Sequence, residues 1–319
     1  MKTAVIGAGR MGRRHVQVVR AMGLELVGLA DARSDALDAA AREDAVPAEA
    51  HYTDVARLLT ERRPECVVVA TTAPSHAELT CQAAASGARF VLCEKPMAIS
   101  LAECDRMLKA CREHGTHLAI NHQMRFMEQY TAPRALLDSP AYGGLRSVLV
   151  AAGNFGMAMN GTHYFEMFRF MAGAAPTTAA AWFSAGGVPN PRGPQFEDRA
   201  GAVRMETAAG QRFYMDVSAD QGHGVKVTYS ARHGQISVDE LAGTMSTDVR
   251  EDAHRDLPTT RYGMPSVRTE QRIRPADAVA PTRAVLEALL RGSGCEVWHR
   301  PHGESECASR SERVLRIDR

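Results

Sequence analysis

Residues 3–12 read Thr3-Ala4-Val5-Ile6-Gly7-Ala8-Gly9-Arg10-Met11-Gly12, an apolar run that stops at three spaced glycines and resumes as a helical pattern to about Ala21. Alone, a Gly-x-Gly-x-x-Gly string is a weak signal. Here it follows a strand, opens a helix and is answered by Asp31, 19 residues beyond Gly12 and just past the apolar strand Leu24–Ala30. That context is the dinucleotide-binding βαβ unit. Gly7 permits the tight turn, Gly9 lets phosphates approach the backbone, and Gly12 lets the helix pack on the strand. Arg10 and Met11 open the helix, whose N-terminus offers unpaired N–H groups and positive dipole to a pyrophosphate. Asp31 would accept bonds from ribose hydroxyls and repel a 2′-phosphate, so NAD is expected; Ala32-Arg33 beside it leaves room for NADP. FAD and S-adenosylmethionine sites share parts of this grammar, and a glycine turn without ligand is the bland alternative.

Outward from that loop, strands and helices alternate. A helix is expected at Ala36–Arg42, a short strand at His51-Tyr52 and a helix near Asp54–Glu61. Cys66–Ala70 is a continuous apolar run without polar alternation, as a central parallel strand covered on both faces requires. The helix Ser75–Ser86, closed by Gly87, leads to a buried strand at Arg89–Cys93. A helix near Leu101–His114 and a strand at Thr116–Ile120 complete the set. This rhythm predicts an α/β protein whose N-terminal doubly wound Rossmann domain spans residues 1–121.

After Asn121 the period becomes two. Ala202–Thr207, Arg212–Ser218, His223–Ser230 and Gln235–Glu240 alternate apolar and polar residues, with short turns at Ala209-Gly210 and His233-Gly234. They predict an antiparallel meander with one wet face, and Leu145–Ala151 and Thr177–Ser184 read as further strands. Residues 122–319 are therefore expected to form a C-terminal α+β domain on a large open, mainly antiparallel sheet. Gly186–Asp198 reads as a long loop and Arg250–Arg274 as a charged irregular one. An open sheet often buries its second face against another copy, so a homodimer or homotetramer is expected.

The bulk numbers fit this picture. The 319 residues suit two domains, 45% hydrophobic and 24% charged residues suit a soluble globular chain, and a net charge of +1 gives no case for nucleic acid. No apolar run is long enough for a membrane helix. No positive-then-apolar segment precedes the first strand, which predicts a cytoplasmic protein. The seven cysteines contain no Cys-x-x-Cys pair, so reduced thiols are expected and no metal site.

A second signature is Cys93-Glu94-Lys95-Pro96, at the end of the fifth strand. Ligands in doubly wound sheets sit beyond the carboxyl ends of strands, which directs Lys95 toward the nicotinamide end, where it would stabilise a developing alkoxide. With Gly7–Gly12 and His15, the strings Thr71-Thr72-Ala73-Pro74-Ser75-His76, Glu94-Lys95-Pro96, Asn121-His122-Gln123-Met124-Arg125-Phe126 and Gly161-Thr162-His163 follow one another in order. In this combination the chain resembles the glucose–fructose oxidoreductase, inositol dehydrogenase and rhizopine catabolism (Gfo/Idh/MocA) family over nearly its whole length. The resemblance implies hydride exchange between NAD(P) and a sugar, aminosugar, sugar nucleotide or cyclitol. It implies that Lys95 is catalytic, that a cis peptide often precedes Pro96, that Thr71, Thr72, Ser75 and His76 line the cofactor, and that Glu94 helps to hold its nicotinamide end.

Gly161–Met171 reads as a buried helix with His163 in its first turn, matching the family's acid/base position. The helix's positive end would keep that imidazole neutral, ready to accept a proton. Glu166, one turn on, would orient the ring or simply pair with Arg169. Many relatives carry an aspartate four residues before the histidine; here Met159 stands there, with Asn160 beside it. Arg125, Asn160, Tyr164, Glu166 and Tyr262 are the candidate substrate contacts. Two other readings stay open: an NAD-dependent glycosidase or epimerase working through a transient ketone, and a non-catalytic NAD-binding regulator.

Overall fold

The computed structural model describes residues 1–153, 155–190, 193, 196–258, 265–274 and 279–292. Tyr262, Cys295 and Cys307 lie outside them. The chain forms two compact units, the first comprising Met1–Gln123 and a returning helix, the second beginning at Met124.

The first unit is a six-stranded, all-parallel sheet built from β1 (Lys2–Ile6), β2 (Glu25–Ala30), β3 (His51–Tyr52), β4 (Cys66–Val69), β5 (Phe90–Cys93) and β6 (His117–Ile120). Its order is β3-β2-β1-β4-β5-β6, so the direction of winding reverses between β1 and β4. Helices α1 (Arg10–Ala21), α2 (Ser34–Asp44), α3 (Val55–Arg62), α4 (Ala73–Ala85) and α5 (Leu101–Glu113) cover its faces. Every residue of β4 and β5 is buried, which is why these strands read as unbroken apolar runs. Asp54 starts α3 by accepting the N–H groups of Ala56 at 2.8 Å and Arg57 at 3.3 Å. The described cysteines are free thiols, and burial pushes the Cys66 thiol up to about 12, leaving it an inert hydrophobe.

The second unit holds an eight-stranded sheet ordered β14-β13-β12-β11-β7-β10-β9-β8. In chain order these are β7 (Leu145–Gly153), β8 (Pro176–Gly187), β9 (Arg199–Thr207), β10 (Arg212–Ser218), β11 (Lys226–Ala231), β12 (Gly234–Asp239), β13 (Thr244–Arg250) and β14 (Ser266–Arg272). One face packs on α6 (Glu128–Leu137) and α7 (Thr162–Ala172), through a core that includes Val148, Val150, Phe168, Phe213, Met215 and Tyr229. Leu149, Trp182 and Val267, on β7, β8 and β14, are at least half exposed at 54%, 60% and 50%.

Several expectations need correction. The period-2 strands do not form one meander: β7 inserts between β10 and β11, pairing parallel to β10 and antiparallel to β11. The segment expected to be an irregular charged loop contains β14, an edge strand on β13 whose residues are all exposed. A strand without a buried face has no reason to alternate. Where residues 122–319 were expected to form one domain, α8 (Ala280–Arg291) returns to the first unit, packing Val285, Leu286 and Leu289 into the core of α1 and β5.

Candidate functional site

The glycine loop sits at the reversal between β1 and β4, where doubly wound sheets leave a crevice. Gly7 has φ +102°, and a Cβ there would stand 2.7 Å from the Ala70 carbonyl oxygen. At Gly12 a Cβ would come within 1.7 Å of the Gly7 carbonyl oxygen, so helix and loop touch as only glycine allows. At Gly9 a Cβ would meet nothing within 4 Å: the backbone faces open space. Helix α1 begins there with no side-chain cap and no acid in its first turn. An open cradle with unspent N–H donors fits a dinucleotide pyrophosphate.

Asp31 is tied to this loop from below. Its Oδ2 accepts Ala8 N–H at 2.8 Å and its Oδ1 accepts Arg33 N–H at 3.0 Å, so it braces the turn while each oxygen keeps a further acceptor direction for ribose. Arg10, Arg14 and Arg33 line a groove beside Gly9 with Arg13, whose guanidinium is held by Asp44 and, at 2.6 Å, by Glu43. Met11 is half-buried and Ala32 exposed at the rim.

The ends of β4, β5 and β6 carry the second cluster. The Lys95-Pro96 peptide is cis, as the resemblance implied, and Lys95 is half-buried. His76, fully buried in α4, places Nδ1 2.8 Å from the Pro96 carbonyl and Nε2 3.2 Å from that of Thr71. It thus clamps the two loops together rather than standing open to a ligand. Ser75 Oγ donates to Thr71 Oγ1 at 2.7 Å and bonds the Thr72 carbonyl at 3.0 Å. Glu94 is buried, and its Oε1 takes both His15 Nε2 and Asn121 Nδ2 at 2.7 Å. Burial pushes its carboxyl up, but the His15 bond and charge, the Asn121 bond and the Lys95 charge outweigh that and hold it below its ordinary value. This network joins α1, β5 and β6 directly behind Lys95. Two of its buried atoms, His15 Nδ1 and Asn121 Oδ1, have no protein partner.

In the second unit, Met157–Gly161 is a π-helical turn running straight into α7. His163 is buried in the first turn of α7, but that turn continues the helical run from Met157, so the positive end of the dipole does not lie at His163. The true N-terminus lies at Ala158 and Met159, whose N–H groups go to the carboxylate of Asp198 at 2.7 and 3.0 Å. Glu166 binds Arg169 Nε at 2.9 Å and Arg125, and the Arg125 guanidinium lies 5.2 Å from the centre of the Phe170 ring. Asn160 is half-buried in the π turn. Tyr164 is buried, stacked on Phe155 at 5.7 Å with its hydroxyl on Glu240 Oε2 at 2.9 Å, so it faces the core. Asp198 and Glu240 were not singled out from the sequence, and Asn121 only as the first residue of a motif string with no role of its own. Asp198 closes a Pro- and Gly-rich stretch without period, and nothing local points to a cap 40 residues away.

Among the described residues, no three His, Cys, Asp or Glu side chains gather as a metal site, and no helix is long and apolar enough to cross a membrane. Comparison with known proteins gives the following. Residues 1–122 match GFO_IDH_MocA, the oxidoreductase family with an NAD-binding Rossmann fold. D-apiose dehydrogenase of Paraburkholderia graminis is 35% identical over 197 residues, 56% of this chain and 52% of that protein. Inositol 2-dehydrogenase of Streptomyces avermitilis is 29% identical over 318 residues, 92% of this chain and 86% of that one. The chain spans about half the length of the first curated relatives it matches, from 52% down to 43%. An Agrobacterium radiobacter oxidoreductase solved with NAD+, L-tartaric acid and magnesium superposes with TM-score 0.72 at 20% identity, over 93% of this chain and 90% of that one. That likeness is one of fold. The glycine cradle and the Glu94-Lys95-Pro96 turn both fall within residues 1–122, the part of the chain that matches this oxidoreductase family.

Proposed function

We propose that the protein is an NAD-dependent oxidoreductase exchanging hydride with a secondary alcohol or ketone carbon of a sugar, aminosugar, sugar nucleotide or cyclitol. The observation that supports this most is the pairing, in one unit, of an open pyrophosphate cradle at Gly9 with a lysine at the end of β5, braced by the His76 clamp and the Glu94 network. When bound, NAD supplies the hydride acceptor. Lys95 donates a hydrogen bond to the reacting oxygen and stabilises its negative charge, and His163 takes the hydroxyl proton. Glu94 keeps the lysine turn in place. Arg125, Asn160 and Glu166 contribute substrate contacts, while Tyr164, spent on Glu240, supports the helix. The test is NADH formation across a panel containing D-apiose, myo-inositol, aminosugars and nucleotide sugars. Product without net cofactor turnover would shift the reading to a glycosidase or epimerase; tight NAD binding with no product from any sugar would shift it to a regulator.

The same reading makes the protein cytoplasmic and a dimer or tetramer through the second sheet. Leu149 and Trp182, which strand register puts on one face of the sheet, expose much apolar area, and solvent gains nothing from it. Sedimentation should give a multiple of the 34.6 kDa chain mass, and Trp182→Glu with Leu149→Glu should return it to the monomer. A wild-type monomer at micromolar concentration would refute this part.

A further inference from the structure

We propose that Asp198 is a positioning residue for His163: from the connection between β8 and β9, its carboxylate fixes the π turn through which α7 is entered. The proposal rests on the assignment of His163 above, but its own basis is local geometry. The helical run from Met157 has no cap of its own. Gly156 precedes it in extended conformation, no acid stands in its first turn, and residues 154–161 contain no carboxylate. The unsatisfied N–H groups at such an end must find a partner elsewhere. Asp198 is that partner, only 4% exposed, with one oxygen on Ala158 N–H and the other on Met159 N–H. The fit is close on both sides. A Cβ at Gly156 would lie 2.2 Å from the Asp198 carboxyl carbon, so the chain has glycine where the carboxylate seats. Asp198 is itself held by its carbonyl, which accepts Val188 N–H at 2.8 Å, and by β9, which begins at the next residue and pairs with β10.

The π turn gives this cap its leverage. Gly161 N–H reaches back to the Gly156 carbonyl at 3.2 Å, a five-residue span that accommodates one residue more than an α turn. Relaxing it to α geometry would shift the register by one residue, about 100° of rotation about the axis. Residues 157–161 and His163 would then no longer keep their present relation to the sheet beneath. A buried, paired carboxylate anchored to a strand resists that change, whereas an alanine or a flexible local cap would not.

The test needs no substrate. Histidine ring resonances are recorded in the full-length protein labelled at histidine, with the His163 signal assigned by its loss in His163→Gln, together with amide hydrogen exchange across residues 155–172. In Asp198→Ala, exchange at Ala158 and Met159 should speed up about tenfold, the size expected for a lost cap. The His163 ring signals should move, while amides of α6 and of the first unit stay as they were. Asp198→Asn keeps one side-chain oxygen and the same volume, and should lie between wild type and alanine, which separates a missing cap from a misfolded chain. Unchanged His163 signals in both variants would overturn the proposal. So would loss of protection spread evenly over the second unit, because Asp198 would then be a stability residue without a specific hold on His163. Turnover by His163→Gln at the wild-type rate would instead sink the catalytic assignment and leave the positional measurement standing.

Discussion

Lys95→Ala is expected to lower turnover by about 10²–10³-fold, the usual loss when one donor to a developing oxyanion is removed, while NAD binding changes by less than about threefold. The two effects separate because the structure separates the two tasks. The phosphate cradle is backbone, Gly7 to Gly12 and the uncapped start of α1, and contains no atom of Lys95. The lysine stands two strands away, at the end of β5, on a turn held by His76 and by Glu94. Removing its side chain leaves both supports in place. Lys95→Arg keeps the charge but replaces a compact ammonium with a planar fork, so it should recover little. NADH fluorescence titration and steady-state rates on the best substrate of the panel decide the matter. Turnover near wild type in the alanine variant refutes the assignment, and weakened NAD binding in step with lost turnover would make Lys95 a cofactor ligand only.

How much of this was legible in the sequence depends on whether the cause was local. Gly7, Gly9, Gly12 and Asp31 are four residues whose spacing alone carries the β1-α1-β2 turn, and Cys66–Val69 announces a doubly covered strand by composition. The first signal is complete within residues 7–31 and the second within four consecutive residues. The insertion of β7 between β10 and β11 has no such signal, because strand order is set by long-range pairing and a period of two says only which face is wet. Ser266–Arg272 is polar on both faces since it is an exposed edge, and an edge strand of that kind reads as a loop. In α8 the stripe Val285, Leu286, Leu289 predicts a helix with one buried side, but nothing in it says that the partner core was laid down before residue 124. The site divides along the same line. Motif residues at strand ends were readable, whereas the Asp198 cap and the Glu94–Asn121 bond join segments distant in sequence, and their chemistry exists only after folding.

Glu240 offers the clearest dependence of stability on pH. It follows β12, largely buried, and burial pushes its carboxyl up to about 7, against the opposing bonds from Tyr164 and Gln129. Its Oε1 has no protein partner. The folded state thus keeps its proton where the unfolded chain, with an ordinary carboxyl near 4.5, has released it. Between those two values the folded form binds more protons, so stability falls as pH rises through the window, and the full cost applies above about 7. A shift of that size costs about 3 kcal/mol at pH 8. Glu240→Gln has the same shape, still offers an oxygen to the Tyr164 hydroxyl and carries no charge. The variant should therefore melt roughly 5–10 °C above wild type near pH 8, and the two curves should meet near pH 4.5. Calorimetric scans at both pH values test this. A gain of equal size at both would mean that glutamine simply packs better. A loss at pH 8 would mean that the ionised carboxylate is stabilising and that the Tyr164 bond outweighs its desolvation.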